Sequence, residues 1–130
     1  MDLLLDTHAF IWFDKAPHKL SDKVKALLKD TNHQLYVSSV SLWEMQIKIQ
    51  LNKLDLRLPL AELVEEQQDK NDVRVLAIEP QHIYELENLP EHHKDPFDRL
   101  IIAQANTEQF SLITVDEKIH RYSDHVKAIW

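Results

Sequence analysis

The sequence predicts an α/β domain with a central, mainly parallel sheet flanked by helices, and three observations lead there. Short β-rich apolar runs alternate along the chain with longer stretches of helical period. No internal repeat, low-complexity tract or Pro/Ser-rich linker interrupts this alternation, so residues 1–130 read as a single domain. A composition of 44% hydrophobic and 28% charged residues over 130 positions suits one compact core. Strands separated by helices pair in parallel, and the helices then cover both faces of the sheet.

Each element has a local reason. Leu3–Leu5 is a short buried strand ending at Asp6, and Thr7–Phe13 is a helical turn that a polar break around Pro17 closes. Ser21 starts a helix that aligns Val24, Leu27 and Leu28 on one face. Gln34–Ser38 is the second strand, and a helix follows from Ser41 to about Leu51. Beyond Asn52-Lys53, Pro59 admits an amphipathic helix from Leu60 to about Gln68. Val73–Ile78 is the third strand, with one Arg among β-branched and apolar residues. Pro80 suits the first helical position before Gln81–Leu89. Asp95-Pro96 starts a helix that runs to about Thr107. Ser111–Val115 is the fourth strand, Glu117–Tyr122 a short helix, and Val126–Trp130 a closing strand.

Composition excludes several functions. With Cys at 0, disulfides and thiolate metal sites are both ruled out, which fits a cytoplasmic location. Glycine is absent too, which removes the Gly-rich phosphate loops of nucleotide-binding domains. No apolar run approaches the roughly 20 residues of a membrane span. The N-terminus lacks the basic region and apolar length of a signal peptide. A formal charge of −7 argues against a broad cationic face for duplex DNA. It leaves room for a nuclease whose carboxylates surround metal ions, since the ions are missing from the charge count.

Four acids stand out by place. In an open parallel sheet, ligands bind beyond the carboxyl ends of the strands, which points to Asp6 and Asp116. Glu44 and Asp98 lie in the first turns of helices that begin along the same edge. Each also has an ordinary explanation. Asp6 and Asp116 can cap the helices that follow them. Glu44 can close a capping box on Ser41, and Asp98 can satisfy the first turn beside Asp95. Converging on one edge, the four charges repel unless a cation neutralises them, and hard oxygen ligands suit Mg²⁺ or Mn²⁺.

Here the residues resemble a known family. Leu4-Leu5-Asp6-Thr7-His8, and then Ser38-Ser39-Val40-Ser41-Leu42-Trp43-Glu44-Met45 with Lys48, resemble the first half of bacterial PIN-domain toxins of the VapC type. The stretch from His93 through Asp95-Pro96-Phe97-Asp98-Arg99 to Ala105 is similar to the third motif of that family, and Leu112-Ile113-Thr114-Val115-Asp116 to its fourth. The blocks occur in family order over nearly the whole chain. The resemblance implies a PIN-like three-layer fold and a Mg²⁺ or Mn²⁺ site formed by Asp6, Glu44, Asp98 and Asp116. Asp95 is then left as a cap, and Thr114 orients a carboxylate or metal-held water. It also implies endoribonuclease cleavage of RNA by metal-activated water, a homodimer, and silencing by a cognate antitoxin protein. Two departures are modest. Asn52 stands where Gly is frequent, and Asn tolerates left-handed backbone; Lys94 stands where Arg is frequent and keeps the charge.

Several further residues invite a role. His8 neighbours Asp6 and is a candidate for substrate contact, while Arg99 and Lys48 are candidates for phosphate contact. Arg99 can equally hold a neighbouring acid in place. No His-x-x-x-His pair occurs on a predicted helix, so the adjacent His92 and His93 read as solvated loop residues rather than zinc ligands. Trp12, Trp43 and Phe97 read as core or interface aromatics, with base stacking the minor reading. Trp12, Phe13 and Trp43 together exceed what one core is expected to bury. Glu62, Glu65, Glu66 and Asp69 read as a solvated helix face. Two other functions share these features: a housekeeping PIN nuclease for RNA processing or DNA flaps, and a non-catalytic interaction module.

Overall fold

Alternation along the first strand, β1 (Asp2–Leu5), sets the layering of the computed structural model, which describes residues 1–130. Leu3 and Leu5 point to one face and pack with Phe10, Val24, Val37 and Met45. Leu4 points to the other, among Ile101, Ile102 and Leu112. Successive strand side chains take opposite faces, and all three leucines are fully buried, so β1 lies at the centre with helices on both sides.

Four more strands complete the sheet: β2 (Gln34–Ser38), β3 (Arg74–Leu76), β4 (Ser111–Ile113) and β5 (Ala128–Ile129). Their order is β3-β2-β1-β4-β5, and every pairing is parallel, where a mainly parallel sheet is expected. Seven α-helices flank it: α1 (Thr7–Lys15), α2 (Asp22–Lys29), α3 (Ser39–Gln50), α4 (Leu60–Asn71), α5 (Pro80–Glu85), α6 (Pro96–Glu108) and α7 (Glu117–His120).

The sequence places these elements in the right order, and the differences lie at their ends. The third, fourth and fifth strands are each shorter than expected, at Arg74–Leu76, Ser111–Ile113 and Ala128–Ile129. The helix expected over Gln81–Leu89 tightens after Glu85 into a 3-10 turn at Leu86–Asn88. Three residues take the left-handed backbone usually left to glycine: Asn52, Asp72 and Gln109, at φ 56°, 51° and 60°. In a chain without glycine these positions end α3, α4 and α6 at a modest cost, and Asn52 keeps the turn where the motif more often has Gly.

The expected aromatic surplus is smaller than the sequence suggests. Trp12 and Phe13 pack against the core cluster on the α1 side, and Trp12 meets Trp130 edge-on at 5.8 Å. Trp43 alone of the three projects, 57% exposed, with its ring edge-on to Phe97 at 5.0 Å. Of the acidic residues on α4, Glu66 is not simply solvated: it accepts from Lys70 and from Arg57, which also reaches Asp14 at 2.8 Å.

The chain leaves β1 for β2 on one side and returns to β4 on the other, so the sheet reverses its order beside β1. Such a switch opens a crevice at the carboxyl ends of the strands. The starts of α1, α3 and α7 follow directly from β1, β2 and β4 at that edge. Helix α6 runs back before β4, which brings its N-terminus to the same place.

Candidate active site

Asp6 is the first residue beyond β1. Its extended backbone makes it the N-cap of α1, and its Oδ1 accepts from the Ala9 N–H at 2.8 Å. Capping and a place in the acid cluster are therefore the same geometry rather than rival readings. Burial pushes the Asp6 carboxyl above the usual range, although the hydrogen bonds from Thr114 and the Ala9 N–H work against the rise.

Glu44 sits differently from its expected place. The capping box on Ser41 does not form, because Ser38 at the end of β2 already has cap geometry and its Oγ accepts from the Val40 N–H at 3.0 Å. The helix starts upstream, and Glu44 lies in its second turn, released from the backbone. Thr7 Oγ1 donates to Glu44 Oε1 at 2.7 Å and shares a hydrogen bond with Ser41 Oγ at 2.9 Å. Lys48 Nζ donates to Glu44 Oε2 at 3.0 Å, so this lysine is paired with an acid one turn away.

At the start of α6 the labour divides between two aspartates. Asp95 Oδ1 accepts from the N–H groups of Phe97 and Asp98, at 2.9 and 3.0 Å, and Pro96 takes the first helical position. The Asp98 side chain is free of capping and turns into the cluster. Its carboxyl is pushed up to about 7, first by burial and then by the charges of Asp95, Glu44 and Asp6, with His93 partly offsetting them.

Asp116 caps α7 by accepting from the Lys118 N–H at 2.8 Å, and its own N–H donates to Thr114 Oγ1 at 3.0 Å. Burial acts to raise this carboxyl, but the hydrogen bond from His93 and the Lys118 N–H outweigh it and hold Asp116 below the usual range. Thr114, fully buried, thus bonds to both Asp6 and Asp116.

His93 is the functional residue that the sequence reading misses. It is not a solvated loop side chain but is 7% exposed, with Nε2 at 2.9 Å from Asp116 Oδ2 and 3.0 Å from Asp98 Oδ2. The available signal was its place two residues before the capping Asp95. Its neighbour His92 is exposed, and adjacency in sequence masks this division of roles.

Of the two roles open to Arg99, the structure shows pairing. Its guanidinium donates to the carbonyls of Pro90 and Leu86, at 2.9 and 3.2 Å, and to Tyr122 Oη at 3.3 Å, and it lies 3.9 Å from Glu91. It fastens the segment that leads into His93 instead of standing free for a phosphate. Arg99→Ala should therefore destabilise the fold by about 1–3 kcal/mol, the cost of leaving part-buried carbonyls unpaired, read as a lower urea midpoint. A midpoint unchanged from wild type would show that the loop holds without it. His8 is exposed, its ring tilted against Trp12 at 5.8 Å and its charge felt at Asp6.

Four carboxylates from four segments thus share one edge: Asp98 and Asp116 both reach His93 Nε2, the charges of Glu44 and Asp6 act on Asp98, and that of Asp116 acts on Asp6. Two of them are held toward the neutral state, as expected of like charges gathered in a partly buried place. The donor set is oxygen-rich and contains no thiolate, which fits a hard divalent cation. Asp6 and Glu44 are buried, whereas Asp98 and Asp116 are partly exposed.

Residues 3–124 match the sequence pattern of the PIN domain. The chain belongs to the PIN-domain family. This PIN domain is 28% identical over 131 residues to ribonuclease VapC22 of Mycobacterium tuberculosis, a match that spans 98% of each chain. Its fold is similar to a chain in the crystal structure of VapBC2 from Rickettsia felis bound to a fragment of promoter DNA. That match has a TM-score of 0.73 and 18% identity and covers 99% of this chain and 98% of that one. It is similar also to a chain in the crystal structure of FitAcB from Neisseria gonorrhoeae, with TM-score 0.64, 17% identity, and 98% and 96% of the two chains covered. The sheet order and the flanking helices described above are this PIN domain's version of that architecture.

Proposed function

We propose that this PIN domain is a Mg²⁺- or Mn²⁺-dependent endoribonuclease acting in the cytoplasm as the toxin of a toxin–antitoxin pair. One observation carries the chemistry: Asp6, Glu44, Asp98 and Asp116 lie along a single edge, where burial first, and then the charges of Asp95, Glu44 and Asp6, raise Asp98 to about 7. These four residues would hold the cation. When bound, the metal supplies charge neutralisation and an activated water for attack on a phosphodiester. The chain's own residues do the rest. Thr114 fixes Asp6 and Asp116 relative to each other, and Thr7 fixes Glu44. Lys48 is the cation nearest the acids on α3, and it offers a phosphate a partner once metal takes over Glu44. His8, exposed beside Asp6, is placed to meet the substrate strand.

The relatives support the biological setting. One carries the name ribonuclease, and one structural neighbour is a toxin–antitoxin complex from Klebsiella pneumoniae. A cognate antitoxin covering this edge with a cation would compete for the same negative charge, and the chain would act as a homodimer. No helix of the chain is long and apolar enough to cross a membrane.

The test uses the purified full chain with single-stranded RNA. Cleavage should need millimolar Mg²⁺ or Mn²⁺ and stop on addition of EDTA. Expression of the chain alone should arrest growth, and co-expression of its genomic neighbour should relieve the arrest. RNA cleavage that persists in EDTA would refute the metal-dependent chemistry. Harmless expression in the native host, with no co-purifying neighbour, would favour a housekeeping nuclease.

A further inference from the structure

We infer that His93 is a positioning residue that presents a fixed Nε2–H to Asp116, with Asp98 beside it, and does not itself ligate the cation. The inference rests on the metal site proposed above, but it is argued from hydrogen bonds that need no metal.

The imidazole is anchored on every side. Its backbone N–H donates to Tyr122 Oη at 2.9 Å, and that phenol is fully buried and donates in turn to Pro90 O at 2.8 Å. The Asp95 backbone N–H donates to His93 Nδ1 at 3.1 Å. A backbone amide nitrogen can only donate, so Nδ1 is the accepting nitrogen and the hydrogen of the neutral ring lies on Nε2. That hydrogen points to Asp116 Oδ2 at 2.9 Å, with Asp98 Oδ2 beside it at 3.0 Å.

A competing assignment is a three-ligand cation site. One ligand atom each from His93, Asp98 and Asp116 lies within 4.8 Å of the others. For Nε2 to bind a cation, its hydrogen would have to move to Nδ1, where it would meet the Asp95 N–H head-on. That same N–H belongs to the residue capping α6, so it cannot swing away without disturbing the turn that presents Asp98. The fixed tautomer therefore makes His93 a hydrogen-bond donor to ligands. The pattern has a known physical use: outer partners that orient ligating carboxylates sharpen metal affinity without touching the ion.

The experiment takes the full chain labelled with ¹⁵N-histidine. Long-range proton–nitrogen correlation should show an unprotonated Nδ1 and a protonated Nε2 at His93, in EDTA and again at saturating Mg²⁺. A protonated Nδ1 in either state, or loss of the Nε2 proton on adding Mg²⁺, would overturn the inference. Mn²⁺ affinity, followed by electron paramagnetic resonance, gives the second readout. His93→Ala should weaken binding about 10- to 100-fold, whereas His93→Gln, which restores an N–H near the Nε2 position, should recover most of that loss. Equal weakening in two folded variants would mark the ring nitrogen as a ligand, and no weakening in either would remove the positioning role. If His93→Ala does not fold, the wild-type tautomer and the Gln variant still decide. A wild-type chain that binds no Mn²⁺ would count against the proposed metal site, while the metal-free tautomer would still support or overturn the fixed donor.

Discussion

Asp98→Asn should reduce RNA cleavage by about 10²- to 10³-fold or more, because it removes a charge that supplies several kcal/mol through the bound cation. Asn keeps the shape and cannot replace the negative charge. Asp98 is the sensitive position because it faces both Asp6 and Glu44 and contacts His93. The internal control is three residues away. Asp95 only caps α6, and Asn caps as well as Asp does, so Asp95→Asn should keep most of the activity. The comparison needs initial rates on one RNA at saturating Mn²⁺, with circular dichroism to confirm that both variants fold. Equal activity of Asp98→Asn and wild type would refute the proposed ligand set.

The second large effect is on stability and runs against intuition. Without divalent metal, wild type should lose stability as pH rises from about 4 to about 7. In that window the unfolded Asp98 has already ionised, whereas the folded one, with its carboxyl near 7, still holds a proton. The folded state binds more protons, so raising the pH costs stability, by at most about 4 kcal/mol for the difference between 3.8 and about 7. Asp6, raised by burial, acts in the same direction. Asp116 is lowered, so its contribution is lost only as the pH falls below the ordinary carboxylate range. Asp98→Asn should flatten most of this dependence and melt higher than wild type in EDTA at pH 8. Saturating Mg²⁺ should reverse the order, since a ligand at 100 times its Kd adds about 2.7 kcal/mol to the state that binds it. Thermal melts of both proteins across pH 4–8, with and without Mg²⁺, give the answer. A wild-type melting temperature in EDTA that does not fall between pH 4 and pH 7 would contradict the raised carboxyl of Asp98.

Both effects have one origin. A group of acids that serves to bind a cation is a liability to the fold until the cation arrives, and stability exchanged for function in this way is common at active sites. Here the liability is contained by groups that do not bind metal. Thr7, Thr114, His93 and the Lys118 N–H each hand a hydrogen to a carboxylate.

Much of the site was legible in the sequence because its acids occupy punctuation marks. Asp6 and Asp116 end strands and start helices, and residues in those positions reach the carboxyl edge whatever the details of packing. The caps at Asp6, Ser21, Asp95 and Asp116 are local, depending on a side chain and an N–H two or three residues away. Glu44 was placed in the right helix for an incomplete reason. A capping box at Ser41 is locally sound, but Ser38 offers the same chemistry earlier, and the first competent cap after the strand wins.

Length, order of elements, the parallel sheet, the absence of glycine loops and the four acids are thus determined by the sequence itself. They follow from periodicity and from contacts within a few residues. The tertiary structure decided the rest. Which way Arg99 turns depends on the carbonyls of Leu86 and Pro90 and on Tyr122, brought near by a loop and by α7. Whether His93 or His92 enters the site depends on Tyr122 and Asp116, 29 and 23 residues further along. The carboxyl of Asp98 rises to about 7 first because the fold buries it, and further because Asp95, Glu44 and Asp6 share its edge. Charge and hydrogen-bond energies depend on distance in space, and only the folded sheet sets that distance between residues so far apart in the chain.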